Sequence, residues 1–240
     1  MKIDADFIVK ETIDIFIKAG GFEILKNCKN LLDKDDYKKI HPTALTPTNI
    51  KIDQELFNKE IVQFLNNFEQ WGNTHTHLKR YGLALVNQDG VLKQNDPING
   101  SLMAWNKEHP DNLLLETDCL TATSVMQLES LRPLTVFDGF WTRSNVLLWH
   151  KGAEFLPHID TIVPSMWIRF WATMSPNIKV RFYNKTTGCL EEQENIEVGR
   201  VYITDTAIVH DAIATDNNVY QLFLSVLPSA KDLVVSNTAH

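Results

Sequence analysis

His158 and Asp160 are separated by one residue, and His210 follows fifty positions after Asp160. Two neutral imidazoles and one carboxylate form the donor set that grips a ferrous ion on one face and leaves the opposite face open. In an extended backbone, residues two apart point to the same side, so His158 and Asp160 can hold one ion without strain. Pro157 favours extended geometry at Leu156 and bars a helix from running through this point. The third donor must come from a distant strand. The run from Val201 to Val209 reads as a strand leading into a loop and delivers His210, a common setting for a functional residue. Taken singly, an HxD triplet arises often by chance and His210 reads as a satisfied turn histidine; the case rests on the combination.

A further feature lies between them. Along Met166–Met174, one strand face carries Met166, Ile168, Phe170, Ala172 and Met174, and the other carries Trp167, Arg169, Trp171 and Thr173. An arginine between two tryptophans suits a pocket wall where a guanidinium meets a carboxylate, or else an internal salt bridge. The tryptophans read equally as pocket wall or as ordinary aromatic packing. A rival pair, His75-x-His77, has the same extended spacing but sits in a polar run that reads as a surface loop. His150 ends a strand eight residues before His158 and is expected at the barrel mouth or in solvent. No GxSxG elbow, P-loop or GxGxxG is present, and no cysteine has an activating context.

The elements that must position these residues fall in two groups. Residues 1–79 have helical periodicity: Phe7, Ile8, Ile13, Phe16 and Ile17 form a stripe closed by Gly20-Gly21, and 22–32 suggests a short helix. His41 to Pro47 reads as a connection, and Asp53 as the N-cap of a long amphipathic helix reaching Trp71. From Arg80 the period changes. Strands are predicted at Tyr81–Val86, Phe137–Trp149, Met166–Ser175, Lys179–Tyr183, Arg200–Thr204 and Val219–Val226, with a short helix from Ser124 to Leu131. Residues 87–123 are expected to form a flap over the site, with a flap or loop at Trp105–Asp111, and 229–240 a peripheral tail. Helices first and strands afterwards predict one α+β domain over 1–240, with N-terminal helices packed on one sheet of the β-rich region 80–228.

Composition sets limits. The 240 residues, 44% hydrophobic and 22% charged, are those of an ordinary globular chain. No apolar run approaches the roughly 20 residues needed to cross a bilayer, and Met1 to Asp6 lacks the basic and apolar regions of a secretory signal. Three scattered cysteines predict reduced thiols and a cytoplasmic location. A net charge of −7 with no basic stripe predicts no nucleic-acid partner.

The C-terminal stretch, about 145–227, resembles the Fe(II)/2-oxoglutarate-dependent oxygenases with a double-stranded β-helix (jelly-roll, cupin-like) core. The likeness is to the aspartyl/asparaginyl β-hydroxylase-like group and the free-proline cis-4-hydroxylases. It is carried by Val146 to His158-Ile159-Asp160, by Trp167-Ile168-Arg169-Phe170-Trp171, by Val198-Gly199 through Asp205 to His210, and by Tyr220 to Val226. The resemblance implies that His158, Asp160 and His210 bind Fe(II), with 2-oxoglutarate as cosubstrate, dioxygen as oxidant and an amino acid or peptidyl side chain as substrate. One departure stands out. The family usually places an arginine or lysine about ten residues after the distal histidine, and here that residue is Tyr220. The resemblance then implies that Arg169 holds the 2-oxoglutarate carboxylate, helped by the Tyr220 hydroxyl, with Arg143 or Arg181 as substitutes. Two other readings remain: a jelly-roll protein that keeps a metal without catalysis, and a cupin-type metalloenzyme that uses no oxo-acid.

Overall fold

Ten pairings, all antiparallel, join the strands of this computed structural model, which describes residues 2–18, 31–70, 79–100, 102–160 and 166–239. The strands are β1 (Leu45–Lys51), β2 (Glu69–Gln70), β3 (Arg80–Asn87), β4 (Thr121–Ala122), β5 (Trp141–Trp149) and β6 (Glu154–His158). They continue with β7 (Ile168–Thr173), β8 (Ile178–Asn184), β9 (Cys189–Glu192), β10 (Arg200–Thr204), β11 (His210–Ala214) and β12 (Val219–Val226). One sheet has the order β1-β10-β7-β12-β5-β3-β2, with β4 on β3, and a smaller one has the order β6-β11-β8-β9. From β5 onward the chain passes back and forth between the sheets, and only β8 to β9 stays within one.

The large sheet has two apolar faces because its strands alternate side chains between them, interrupted by bulges where β5 pairs with β12 and with β3. Ile168, Phe170, Leu222, Leu224 and Val226 pack with Phe57, Ile61, Leu131 and Phe137 in a core on the helical side. Leu147, Trp149, Trp171 and Tyr202 point the other way, toward Val180, Phe182 and Ala212 of the small sheet. Each face buries large side chains completely, Phe57 and Trp149 among them, and one such side chain contributes about 1.5–3 kcal/mol by leaving water.

The helices are α1 (Ala5–Lys18), α2 (Lys34–Ile40), α3 (Gln54–Glu60), α4 (Pro97–Gly100), α5 (Leu102–Glu108) and α6 (Lys231–Ser236). Asp53 caps α3, accepting from the Leu56 N–H at 3.0 Å. The helix expected to reach Trp71 ends early: after Glu60 the chain tightens into a 3₁₀ segment, Ile61–Asn67, and leaves it extended at Phe68. Phe57 and Ile61 are fully buried there, whereas Val62 and Leu65 are exposed, so the apolar pattern served two shorter pieces. Residues 41–47 are only partly a connection. Leu45 opens β1, which pairs with β10 at the end of the large sheet, where Pro47 is tolerated. Ser124–Gln127 and Glu129–Phe137 are 3₁₀ segments, so β5 begins at Trp141 rather than Phe137. Within the expected flap, Leu102–Glu108 is helical. The tail is no loose appendage: Val234 is fully buried, Lys231 pairs with Asp36, and Thr238 bridges to Thr48. Gly20-Gly21 and most of 22–32 lie outside the described residues.

Gly199 fixes the entry to β10. Its φ is +79°, and a Cβ there would run into the Ile52 carbonyl oxygen, so only glycine fits. Its N–H donates to Thr173 O at 2.8 Å while its carbonyl accepts from Ile52 N at 2.8 Å, joining β10 to the end of β7.

Candidate metal centre

His210 opens β11 directly opposite His158, the last residue of β6. Just beyond, Asp160 is held by its N–H donating to Thr206 O at 3.1 Å. The three side chains meet: one donor atom from each lies within 4.8 Å of the others. Asp160 Oδ1 is 3.2 Å from His158 Nε2 and 3.7 Å from His210 Nε2.

The other imidazole nitrogens settle the tautomers. His158 Nδ1 lies 2.7 Å from Leu156 O, and His210 Nδ1 lies 2.8 Å from Ile208 O. A carbonyl oxygen only accepts, so each Nδ1 carries a proton, and in the neutral ring, the form that binds metal, Nε2 presents its lone pair. Burial, then the neighbouring His158, lower the His210 imidazole to about 4, so it is neutral near pH 7. Burial works to raise the Asp160 carboxyl. The close approach of His158, then of His210 and Arg169, outweighs that and holds it below the usual carboxylate range. Two lone pairs and an anionic oxygen thus face one another, an arrangement that repels unless a cation lies among them. Metal bonds of roughly 2.0–2.2 Å would set neighbouring donors about 3 Å apart, close to the separations found. The donor set fits a metal, and its chemistry fits iron.

Arg169 sits behind the carboxylate. Its Nε is 3.7 Å from Asp160 Oδ2, one terminal nitrogen donates to Ser225 Oγ at 2.6 Å, and the other to Glu116 Oε2 at 2.7 Å. The internal salt bridge is therefore present, and Arg169 also lines the cleft. The fully buried Arg143 lies 3.7 Å from the second Glu116 oxygen and donates to Gly100 O at 2.9 Å. Glu116 ties the expected flap to β5 and β7 of the large sheet.

Tyr220 is not brought to the site. It packs on the helical face of β12 against Phe57 and Phe68, with ring centroids 6.0 and 6.2 Å away. Its neighbour Gln221 turns into the cleft instead. Arg181 is paired with Asp211, Nε to Oδ1 at 2.8 Å, while the flanking Phe182 lines the cleft. His150 stacks edge-on against Tyr81 at 5.5 Å. Trp171 is buried in the cleft wall, and the Trp167 ring lies 5.5 Å from the Arg169 guanidinium. His75 and His77 lie outside the described residues.

The cleft runs inward from the triad between the two sheets, walled by Phe155, Trp171, Phe182, Thr204, Gln221 and Phe223. Its free cavity is about 20 Å³, room for roughly one water, so a larger guest must displace side chains such as Phe223. Glu116 and Gln221 escaped the sequence reading. No motif marks Glu116. Gln221 was legible from alternation, because Tyr220 shares its face with Leu222, Leu224 and Val226.

No protein-family model and no curated protein matches the chain. Solved structures are similar at a distance. An oxidoreductase of the 2OG-Fe(II) oxygenase family from Burkholderia pseudomallei shares 12% identity over 72% of this chain and 78% of its own, with a TM-score of 0.39. A Pseudomonas putida prolyl-4-hydroxylase shares 9% over 80% and 97%, with a TM-score of 0.42. Oxalate oxidase in complex with glycolate shares 11% over 66% and 56%, at 0.34. These likenesses are too distant to carry an argument about activity.

Proposed function

We propose that this protein is an iron-dependent oxygenase that uses a 2-oxo acid, 2-oxoglutarate by the resemblance, to hydroxylate an unactivated C–H bond of an amino acid or peptidyl side chain. Fe(II) would be held by His158, Asp160 and His210, with Arg169 as the nearest cation toward the oxo-acid. One observation carries the reading: two Nε2 lone pairs and one carboxylate oxygen converge while both Nδ1 atoms are tied to backbone. The strand orders β5-β12-β7-β10 and β6-β11-β8-β9 support a jelly-roll core, which sets a histidine pair across β6 and β11 at one end of a cleft.

When bound, the iron would supply the redox chemistry that couples oxidative decarboxylation of the oxo-acid to insertion of oxygen into the C–H bond. The chain's own residues do the rest. Leu156 O and Ile208 O orient the two imidazoles. Arg169, itself anchored by Ser225 and Glu116, lies beside Asp160 with its Nε 3.7 Å from Oδ2. Phe155, Phe182 and Phe223 keep the inner cleft dry.

A second reading, a metalloenzyme of cupin type that uses no oxo-acid, is favoured by Tyr220 pointing away from the cleft. Purified protein supplied with Fe(II), ascorbate and oxygen separates the two. Oxidative decarboxylation of a 2-oxo acid, supplied as 2-oxoglutarate or as its terminal amide, is expected, even slow and without the prime substrate. Its complete absence across a substrate panel, with iron bound, would leave the second reading.

A further inference from the structure

Gln221 is wholly buried, and neither its Oε1 nor its Nε2 has a hydrogen-bond partner. It projects into the cleft from β12, on the side of the large sheet facing Phe155, Val180 and Ala212. Of its two cross-strand neighbours, Leu147 is apolar and Thr173 donates its hydroxyl to Ser175 O at 2.6 Å rather than to Gln221. A primary amide stripped of water on both its donor and its acceptor side carries a desolvation cost that a guest in the cleft would relieve. The Trp149 Nε1–H on the adjoining strand β5 is likewise buried and without a partner.

Charge decides what that guest is. Arg169 is the one arginine or lysine among the described residues lining the cleft, and it is engaged by Glu116 and Ser225 beside Asp160, at the metal end. Arg80 is buried nearby with Nε and Nη1 unpartnered, but its guanidinium lies flat on Phe155, its carbon 3.3 Å from the ring centroid, and that ring stands between it and the cleft wall, which Arg80 does not join. A carboxylate reaching Gln221 would accept from Nε2 but set its oxygens against Oε1, with no arginine or lysine of the cleft wall beside it at that end. A primary amide would do both jobs, accepting from Nε2 and donating to Oε1.

Resting on the oxygenase reading above, we propose that Gln221 recognises the far end of the oxo-acid as a neutral donor and acceptor. The cleft thus selects a 2-oxo acid that ends in an uncharged polar group, an amide by preference, over a dicarboxylate. This is a specificity-determining residue for the proposed cosubstrate.

The test uses two isosteric probes that cannot turn over: N-oxalylglycine, which ends in a carboxylate, and N-oxalylglycinamide, which ends in an amide. Each is titrated calorimetrically into the full chain loaded anaerobically with Fe(II). Wild type is expected to bind the amide at least about tenfold more tightly, a modest demand on a site built around a buried hydrogen-bonding group. Gln221→Arg should reverse that preference. Gln221→Met, close in shape and free of new charge, should abolish it, and thermal unfolding reports whether each variant folds. Tighter binding of the acid by wild type overturns the proposal while leaving the oxygenase reading intact; if Arg80→Met then removes acid binding, Arg80 is the anchor. Binding of Fe(II) with neither probe taken up overturns both, as does failure to bind Fe(II).

Discussion

His158 and His210 face each other across the β6–β11 pair with ring centroids 4.5 Å apart, and each ties its Nδ1 to the carbonyl oxygen two residues before it. The arrangement is symmetric: two strands, running in opposite directions, present matching imidazoles in matching tautomers. Histidines oriented only by packing would have no reason to share this pattern. A common task for the two Nε2 atoms would require it.

The first prediction concerns the donors. His158→Ala, His210→Ala and Asp160→Asn should each weaken Fe(II) binding more than 100-fold, since loss of an outer partner alone costs about 10–100-fold. His150→Ala and His75→Ala should leave it unchanged in anaerobic calorimetry. Greater loss with His75→Ala would move the site to the 75–77 segment.

Metal should also stabilise the fold. At a free concentration of about 100 times its Kd, a divalent ion that binds the folded chain alone adds about 2.7 kcal/mol. Denaturant unfolding with Zn(II), a redox-inert substitute, should show that gain in wild type and lose it on chelation. Asp160→Asn should show little gain.

Tyr220→Phe should leave oxo-acid affinity as it is in wild type. The phenol lies among Phe57 and Phe68 on the helical face of the sheet, where burial raises its pKa, and Phe keeps the ring packing. A tenfold fall in affinity on calorimetric titration would return Tyr220 to the site.

Glu116→Gln should loosen the segment that Glu116 ties to the large sheet. Removing one partner of a buried ion pair costs about 3–5 kcal/mol. The lower end is expected here, because the Glu116 side chain keeps 20% of its surface exposed. Hydrogen exchange over residues 97–123 should quicken while β12 stays protected. Unchanged exchange would mean that the Glu116–Arg169 link does not hold the segment.

Much of this architecture was legible in the chain, and what was not has physical causes. Strands β10 and β12 lie where alternation and turn signals put them, because both are buried on two faces and bounded by polar turns. Arg169 and Trp171 share the cleft face for the same reason. β1 was hidden by Pro47 and its threonines, which read as a loop but suit an edge strand pairing with β10. β6 and β9 carry mostly exposed or half-buried residues, so no apolar face declares itself, and β11 begins at His210, where the chain read as a loop. The triad could be read because its spacing reflects local backbone geometry. Glu116 could not, since its meeting with Arg169 depends on the path of a segment more than fifty residues away.

The central claim, a metal shared by His158, Asp160 and His210, is tested most directly by a crystal structure of the iron-loaded protein with anomalous scattering recorded at the iron absorption edge. The account predicts one strong peak bonded to both Nε2 atoms and to an Asp160 oxygen. A peak elsewhere on the chain, with the two imidazoles and the carboxylate hydrogen-bonded among themselves, would contradict it.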